Sequence, residues 1–440
     1  MENRGKGRLS PHDVLIWGRG QTMAKLDGMN LLKARKRNAA ALMEILYKFA
    51  PISRNQIAEI MGLSLPAITT HIVELIGCGL VEETIEMPHE KESGAGRRAR
   101  PVDLVSNCRY FLGVEITPNR CTFCLTDLRF RDMVLLEEYR SNADYDEMLE
   151  YVSGTIASMI SRREDIRDKI AGIGVGIPGF VDRKSGVVRS MSRFQWRDKP
   201  LMNDLSRRTG MRICVENNVR VRAIGEDMLN GRIRPETFAY LFVSLGIGCP
   251  LVIKNSLFAG RTAGAGEIGH MIMEMEGPKC DMCGHRGCLD ALASETAILG
   301  QCRKSIENQN APLLASIVEE SGRLSMREVC QAQSAGDQAV TEIVQTAIRY
   351  LAVGLANMVN FISPHLVIVD AYAMKLKENQ ALFLKTVKQY LFGLNDEEVA
   401  IEFKELDSYS GCKGAAAFAM REFFIRDEAL GEEQRRNSDV

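Results

Sequence analysis

One stretch commits this chain to a metal-organised loop: Glu267-Ile268-Gly269-His270 followed by Cys280-x-x-Cys283-Gly-x-x-Gly-Cys288-Leu289-Asp290. One imidazole and three thiolates suit tetrahedral zinc, because soft sulfur and borderline nitrogen match that ion. Gly284 and Gly287 permit the tight turns that bring the sulfurs together. The alternative is a reduced cysteine cluster without metal; paired cysteines at knuckle spacing beside a histidine favour His270, Cys280, Cys283 and Cys288 as ligands. The other cysteines, of 12 in all, show no regular pairing and often sit in apolar runs such as Ile213-Cys214-Val215, as reduced core thiols do. Cys121-x-x-Cys124 lies in a strand-like run that would send its two side chains to opposite faces, so it reads as core rather than redox.

The chain's 440 residues exceed one ordinary core, and 45% hydrophobic content suffices to bury two or three. A formal net charge of -1 excludes a uniformly basic coat, so any nucleic-acid surface must be local. No apolar run approaches the roughly 20 residues that cross a bilayer, and the polar start leads into no signal-peptide core. A cytoplasmic protein without membrane insertion is expected.

Residues 38–105 read as a unit of their own, preceded by a basic segment 1–37 that includes Lys33, Arg35, Lys36 and Arg37. A helical run from Ala39 to Phe49 leads to a second helix capped by Ser53, with Gln56 completing a capping box and Gly62 ending it. Ser64 can cap a third helix, where Pro66 is tolerated in the first turn. Ile68, Ile72, Leu75 and Ile76 share one side of that helix, which leaves Leu65, Thr69, Thr70 and His71 facing outward. This is helix-turn-helix grammar: the outward residues would read base edges and thymine methyls, with Ser53, Arg54 and Asn55 near phosphates. Gly79-Leu80-Val81 then opens an extended segment, and a polar turn leads to Arg97-Arg98-Ala99-Arg100, the basic tip of a wing. A protein-docking module is the alternative for any three-helix unit. Capped helices, turn glycine and basic wing in this order favour double-stranded DNA.

From about residue 109, short β-rich runs alternate with helices: 110–117, 121–125, 133–139, a helix near 145–162, then 173–177. This is α/β architecture. A hairpin-like pattern recurs over 240–253, implying two related lobes across 106–425, the second beginning near 239, before a polar tail 426–440. Together with the His/Cys stretch, the runs Gly176-Ile-Pro-Gly179-Phe-Val-Asp182, Trp196-Arg-Asp, Glu216-Asn217-Asn218, Pro364-His-Leu-Val-Ile-Val and Gly414-Ala-Ala resemble the ROK family of sugar kinases and sugar-responsive repressors over nearly the whole chain. Family members commonly carry Cys-x-Cys-Gly where this chain has Cys280-Asp-Met-Cys283, one residue longer. The resemblance implies a winged helix-turn-helix followed by a two-lobed actin-like ATPase/sugar-kinase fold.

It also implies a comparison with the kinase members, and three phosphate-handling elements differ. Where they have Asp-x-Gly-Gly-Thr-Lys, this chain has Glu115-Ile-Thr117-Pro118-Asn119-Arg120, whose side chains block phosphate approach and whose proline lacks an amide donor. The second glycine-rich loop remains only as Leu245-Gly246-Ile-Gly248-Cys249-Pro250, and Asp370-Ala371 replaces paired glycines. The kinase Glu-Asn-Asp is Glu216-Asn217-Asn218, so an amide that accepts no proton stands at the place of the catalytic aspartate. The sugar side keeps its donors and acceptors: by resemblance Asn217, Asn218, Glu267, His270 and a shortened Asp290 would bind a sugar, with His270 shared between zinc and ligand.

The expectation is a dimeric or tetrameric repressor whose sensor binds a sugar and no longer phosphorylates it. A residual sugar kinase, control by a transport or phosphorelay protein, and a metal-braced but empty cleft are the alternatives.

Overall fold

A computed structural model of the protein describes residues 31–84, 100–139, 144–229, 234–254, 256–260, 264–393 and 399–426, with side chains from Arg37 onward except that of Tyr139. Arg97, Arg98 and the rest of the expected wing turn, the segment before residue 31 and the tail after Arg426 lie outside the described residues.

The front unit opens with α1 (Leu31–Phe49), followed by α2 (Arg54–Met61) and α3 (Leu65–Gly77). Helix α1 begins eight residues before the expected Ala39, because Lys, Arg, Ala and Leu favour helix even where no apolar stripe marks it. Ser53 and Gln56 form the full capping box on α2, and Gly62 closes that helix at a φ of 63°. The chain then turns by 118° into α3, within the range of helix-turn-helix pairs. Ser64 occupies the cap position of α3, but its side chain makes no cap hydrogen bond; Pro66 in the first turn already removes one amide that a cap would serve. Strand β1 (Val81–Glu83) pairs antiparallel with β2 (Val102–Leu104), and Ile52 bridges to Val102. Leu42, Ile45, Leu46, Ile57, Ile68, Ile72 and Val102 form the buried interior.

The first lobe is a five-stranded sheet in the order β10-β6-β3-β4-β5, built from β3 (Tyr110–Ile116), β4 (Arg120–Asp127), β5 (Met133–Tyr139), β6 (Ile170–Ile177) and β10 (Ile213–Asn217). A small sheet, β7 (Phe180–Asp182), β8 (Val187–Met191) and β9 (Trp196–Lys199), extends it. Helices α4 (Tyr145–Ser161) and α5 (Leu201–Thr209) share one apolar core with this sheet, while α6 (Asn218–Leu229) joins another with the helix near the chain's described end.

The second lobe repeats the plan. Strands β11 (Phe238–Val243), β13 (Leu251–Ile253), β14 (Ser256–Leu257), β15 (Leu366–Ala371) and β16 (Ala400–Phe403) run in the order β16-β15-β11-β13-β14, with the short β12 (Ile247–Gly248) against β11. In each lobe two antiparallel neighbours lie on one side of the first strand and two parallel neighbours on the other. The recurrence read from 240–253 is thus a repeat of whole-sheet topology. Helices α7 (Leu289–Ala293), α8 (Glu295–Glu307), α9 (Pro312–Ser321), α10 (Met326–Ser334), α11 (Gln338–Ile362) and α12 (Lys377–Tyr390) complete this lobe, and α13 (Ser410–Met420) returns to the first. By length and mean hydropathy α11 is the one described helix that could span a bilayer, although Glu342, Gln345 and Arg349 break its apolar run. Its buried Val340, Val344, Ile348, Leu351 and Leu355 instead belong to the second-lobe core.

Candidate functional site

Between the lobes lies a cleft of about 500 Å³. All five residues expected at a sugar line it: Asn217 and Asn218 where β10 passes into α6, and Glu267, His270 and Asp290 from the second lobe. Asn217 engages both ends of its amide, donating to the Gly179 carbonyl at 3.0 Å and accepting from the Val219 amide at 2.9 Å, so it caps α6 as well as facing the cleft. Asn218 donates to Glu115 at 3.4 Å. Asp290 accepts from the Ile247 amide at 2.8 Å. Burial pushes the Glu267 carboxyl up to about 7, helped by the charge of Asp290 and opposed by Arg220.

Where the kinase pattern would admit phosphate, the turn from β3 to β4 is closed on itself: the Thr117 hydroxyl donates to the Arg120 carbonyl at 2.8 Å, and Arg120 pairs with Glu137 at 2.7 Å. Behind it sits a buried charge cluster that sequence reasoning missed. Arg222 pairs with Glu115 at 2.6 Å, approaches Asp370 at 4.0 Å, donates to the Ser410 hydroxyl and lies over the Phe242 ring at 4.5 Å. Tyr240 donates to Asp370 at 2.5 Å. Arg220 pairs with Glu216 at 3.1 Å. The available signal was two arginines in an otherwise apolar helix start and a glutamate inside an apolar strand, since buried charges need partners. At the cleft mouth, Arg193 of the first lobe donates to the Leu245 carbonyl at 3.1 Å and the Thr296 hydroxyl at 3.0 Å of the second.

A short helical turn, Ile268–His270, delivers the imidazole to the cysteine loop. Ligand atoms of His270, Cys280, Cys283 and Cys288 all lie within 4.8 Å of one another. The Cys283 and Cys288 sulfurs are 3.5 Å apart, and Nδ1 of His270 is 3.9 Å from the Cys280 sulfur. Zinc–sulfur bonds of about 2.3 Å in a tetrahedron separate sulfurs by roughly 3.8 Å, so this set fits a metal ion. Gly284 and Gly287 take φ of 80° and 71°, and a Cβ on Gly287 would strike the Glu274 carbonyl, so both glycines are required as expected.

On the front unit, Ser64, Leu65, Pro66 and Thr70 are exposed, and Thr69 and His71 partly so. The Thr69 and Thr70 hydroxyls donate to the Leu65 and Pro66 carbonyls, and His71 lies 3.5 Å from Glu74. Arg54 and Arg100 converge on Glu83 at 2.7 and 3.4 Å. Ser53, grouped with Arg54 and Asn55 from the sequence, is buried with its hydroxyl held by Gln56, which leaves Arg54 and Asn55 as the outward polar pair.

Residues 111–422 match the profile of the ROK family. The chain belongs to the ROK family. It is 28% identical to the xylose repressor of Bacillus subtilis over 340 residues, 76% of this chain and 82% of that protein. It is 29% identical to the DNA-binding transcriptional dual regulator NagC of Escherichia coli over 354 residues, 79% of this chain and 82% of that protein. Among solved structures, a ROK family transcriptional regulator homologous to the E. coli MLC protein superposes with a TM-score of 0.75 at 20% identity, covering 92% of this chain and 99% of that one. A ROK glucokinase from Streptomyces griseus, in complex with glucose and AMPPNP, gives 0.61 at 22% identity over 71% of this ROK chain and all of its own. These two likenesses establish the fold.

Proposed function

We propose that this ROK protein is a cytoplasmic DNA-binding transcriptional repressor whose two-lobed domain, residues 106–425, takes a sugar or sugar derivative as effector and transfers no phosphate. The observation that carries the reading is the pairing of an open cleft, lined by hydroxyl-binding groups, with a phosphate region holding the buried Glu115–Arg222 pair. Relatives named as repressors, matched over most of their length, support the regulatory half. Helix α3 presents Leu65, Thr69, Thr70 and His71 for base contacts, with Arg54, Asn55 and Arg100 beside them for phosphates. The protein acts as a dimer or higher oligomer, because paired half-sites require paired readers.

His270, Cys280, Cys283 and Cys288 are the residues that would hold a structural zinc ion. Bound there, zinc supplies a fixed cross-link for the loop. With Nδ1 turned to the sulfurs, only Nε2 of His270 remains to meet a ligand, alongside Asn218, Glu267 and Asp290.

The test is fluorescence anisotropy on DNA from upstream of the protein's own gene, titrated with free and phosphorylated sugars. One sugar is expected to weaken binding by about fivefold or more, a coupling of about 1–3 kcal/mol. Tight DNA binding that no sugar alters would transfer control to a protein partner, and absence of DNA binding would overturn the reading of the front unit.

A further inference from the structure

We propose that α6 is a lever that links the cleft to the DNA-binding unit, pivoting against α13; the proposal rests on reading the cleft as an effector site. Helix α6 has 12 residues, so it spans about 18 Å. Its first turns belong to the cleft: Asn218 touches Glu115, and Arg222 joins Glu115 of the first lobe to Asp370 of the second. Its last turn belongs to the front unit. The Tyr47 hydroxyl donates to the Met228 carbonyl at 3.1 Å, and Lys48 pairs with Asp227 at 3.2 Å, both side chains of that pair being nearly buried.

Between the two ends, α6 rests on α13 backbone to backbone. A Cβ on Gly225 would lie 3.0 Å from Gly414 Cα, and one on Gly414 would lie 2.4 Å from the Val221 carbonyl oxygen. Side chains do not interlock at this point, so the contact is a close but smooth seat, the form a fulcrum requires. The helix is also gripped at Glu226, which receives Arg234, from the segment leading into the second lobe, at 3.0 Å and Lys404 of that lobe. A ligand that moves the lobes relative to each other therefore pulls on α6 through Arg222 and Glu226. The displacement reaches α1 through Asp227 and Met228. Arg129, on the turn after β4, holds the Tyr47 carbonyl at 2.7 Å and Asp103 at 2.6 Å, which gives the front unit a second point of attachment to turn about.

Hydrogen–deuterium exchange on the full chain tests the lever without knowledge of the effector. Asn218→Asp sets a second carboxylate beside Glu115, in competition for Arg222, and so disturbs the cleft end alone. Amides of residues 44–49 are expected to exchange about threefold differently from the unsubstituted protein. In a background where the far end is cut by Tyr47→Phe and Asp227→Asn, the same Asn218→Asp change should leave those amides at the rate of the background. Should Asn218→Asp fail to fold, Asn218→Ala, which removes only the contact to Glu115, is read in the same way. Unchanged exchange at 44–49 in the foldable cleft variant overturns the lever, as does an equal change in the cut background. A protein that passes this test but whose DNA affinity no sugar alters would sink the effector reading and leave the lever standing.

Discussion

Cys283 is the exposed member of the His/Cys set, whereas Cys280 and Cys288 are buried, so it is the member that can be changed with least disturbance to packing. Cys283→Ser is expected to lose bound zinc and lower Tm by roughly 5–10 °C together, since metal binding and folding are linked. Elemental analysis beside calorimetry checks this; unchanged zinc content would remove Cys283 from the ligand set. Glu295, at the cleft's second-lobe wall, gives a pH prediction. Burial pushes its carboxyl up to about 7, with Asp370 adding to the rise and the Ser244 hydrogen bond and Arg120 opposing it. A folded-state value above the unfolded 4.5 means the folded protein binds the extra proton, so the contribution is complete below pH 4.5 and is lost as pH climbs through about 7. Glu295→Gln should therefore flatten the stability profile over that window, by about 3 kcal/mol, and parallel Tm profiles of the two proteins would contradict it. The His/Cys cluster was legible in the sequence as a candidate metal site because soft donors at fixed spacing announce their chemistry locally, and the fold brings their ligand atoms within 4.8 Å of one another. The Glu115–Arg222 pair was not, because its partners are 107 residues apart and only the fold brings them together.

At the scale of elements, the first helix of the helix-turn-helix was readable because both of its boundaries have a local cause: the Ser53–Gln56 box and the left-handed Gly62. The start of α1 was not, since Lys, Arg, Ala and Leu have helical propensity but here form no apolar period to display it. Two changes separate the roles assigned to this unit. Thr70→Ala is expected to alter preference among operator variants by about 1 kcal/mol at one base pair. Arg100→Ala should weaken binding to all sequences and reduce the salt slope by about 1. Anisotropy against a panel of operators at several salt concentrations distinguishes them. A uniform loss from Thr70→Ala would deny it a base-reading role. The substitution also deprives Glu83 of one of its two partners, so Arg54 should keep the wing base in register in that variant.

For the whole molecule, the two lobes repeat one sheet order, and that much was legible as a recurring pattern of strands. Phosphotransfer is the property that depends on both lobes at once, through loops facing each other across the cleft. Placing an acid there with Asn218→Asp is expected to give no sugar-dependent ADP release in a coupled assay, because the Thr117–Arg120 turn stays closed and Pro118 offers no amide to a phosphate. Turnover in that variant would show that nucleotide still enters. The apolar interior of the front unit is continuous with the sensor's: Leu42, Ile45 and Leu46 share one cluster with Met228, Phe418, Phe424 and Ile425. The reader of DNA is therefore not a bead on a string. As the chain leaves the ribosome, α1 to α3 are made first, yet the surface on which they sit is completed only when α13 and the residues after it are made. A nascent or C-terminally truncated chain lacks part of that footing, so the seated arrangement of the DNA-reading unit is itself a mark that synthesis has run through the sensor.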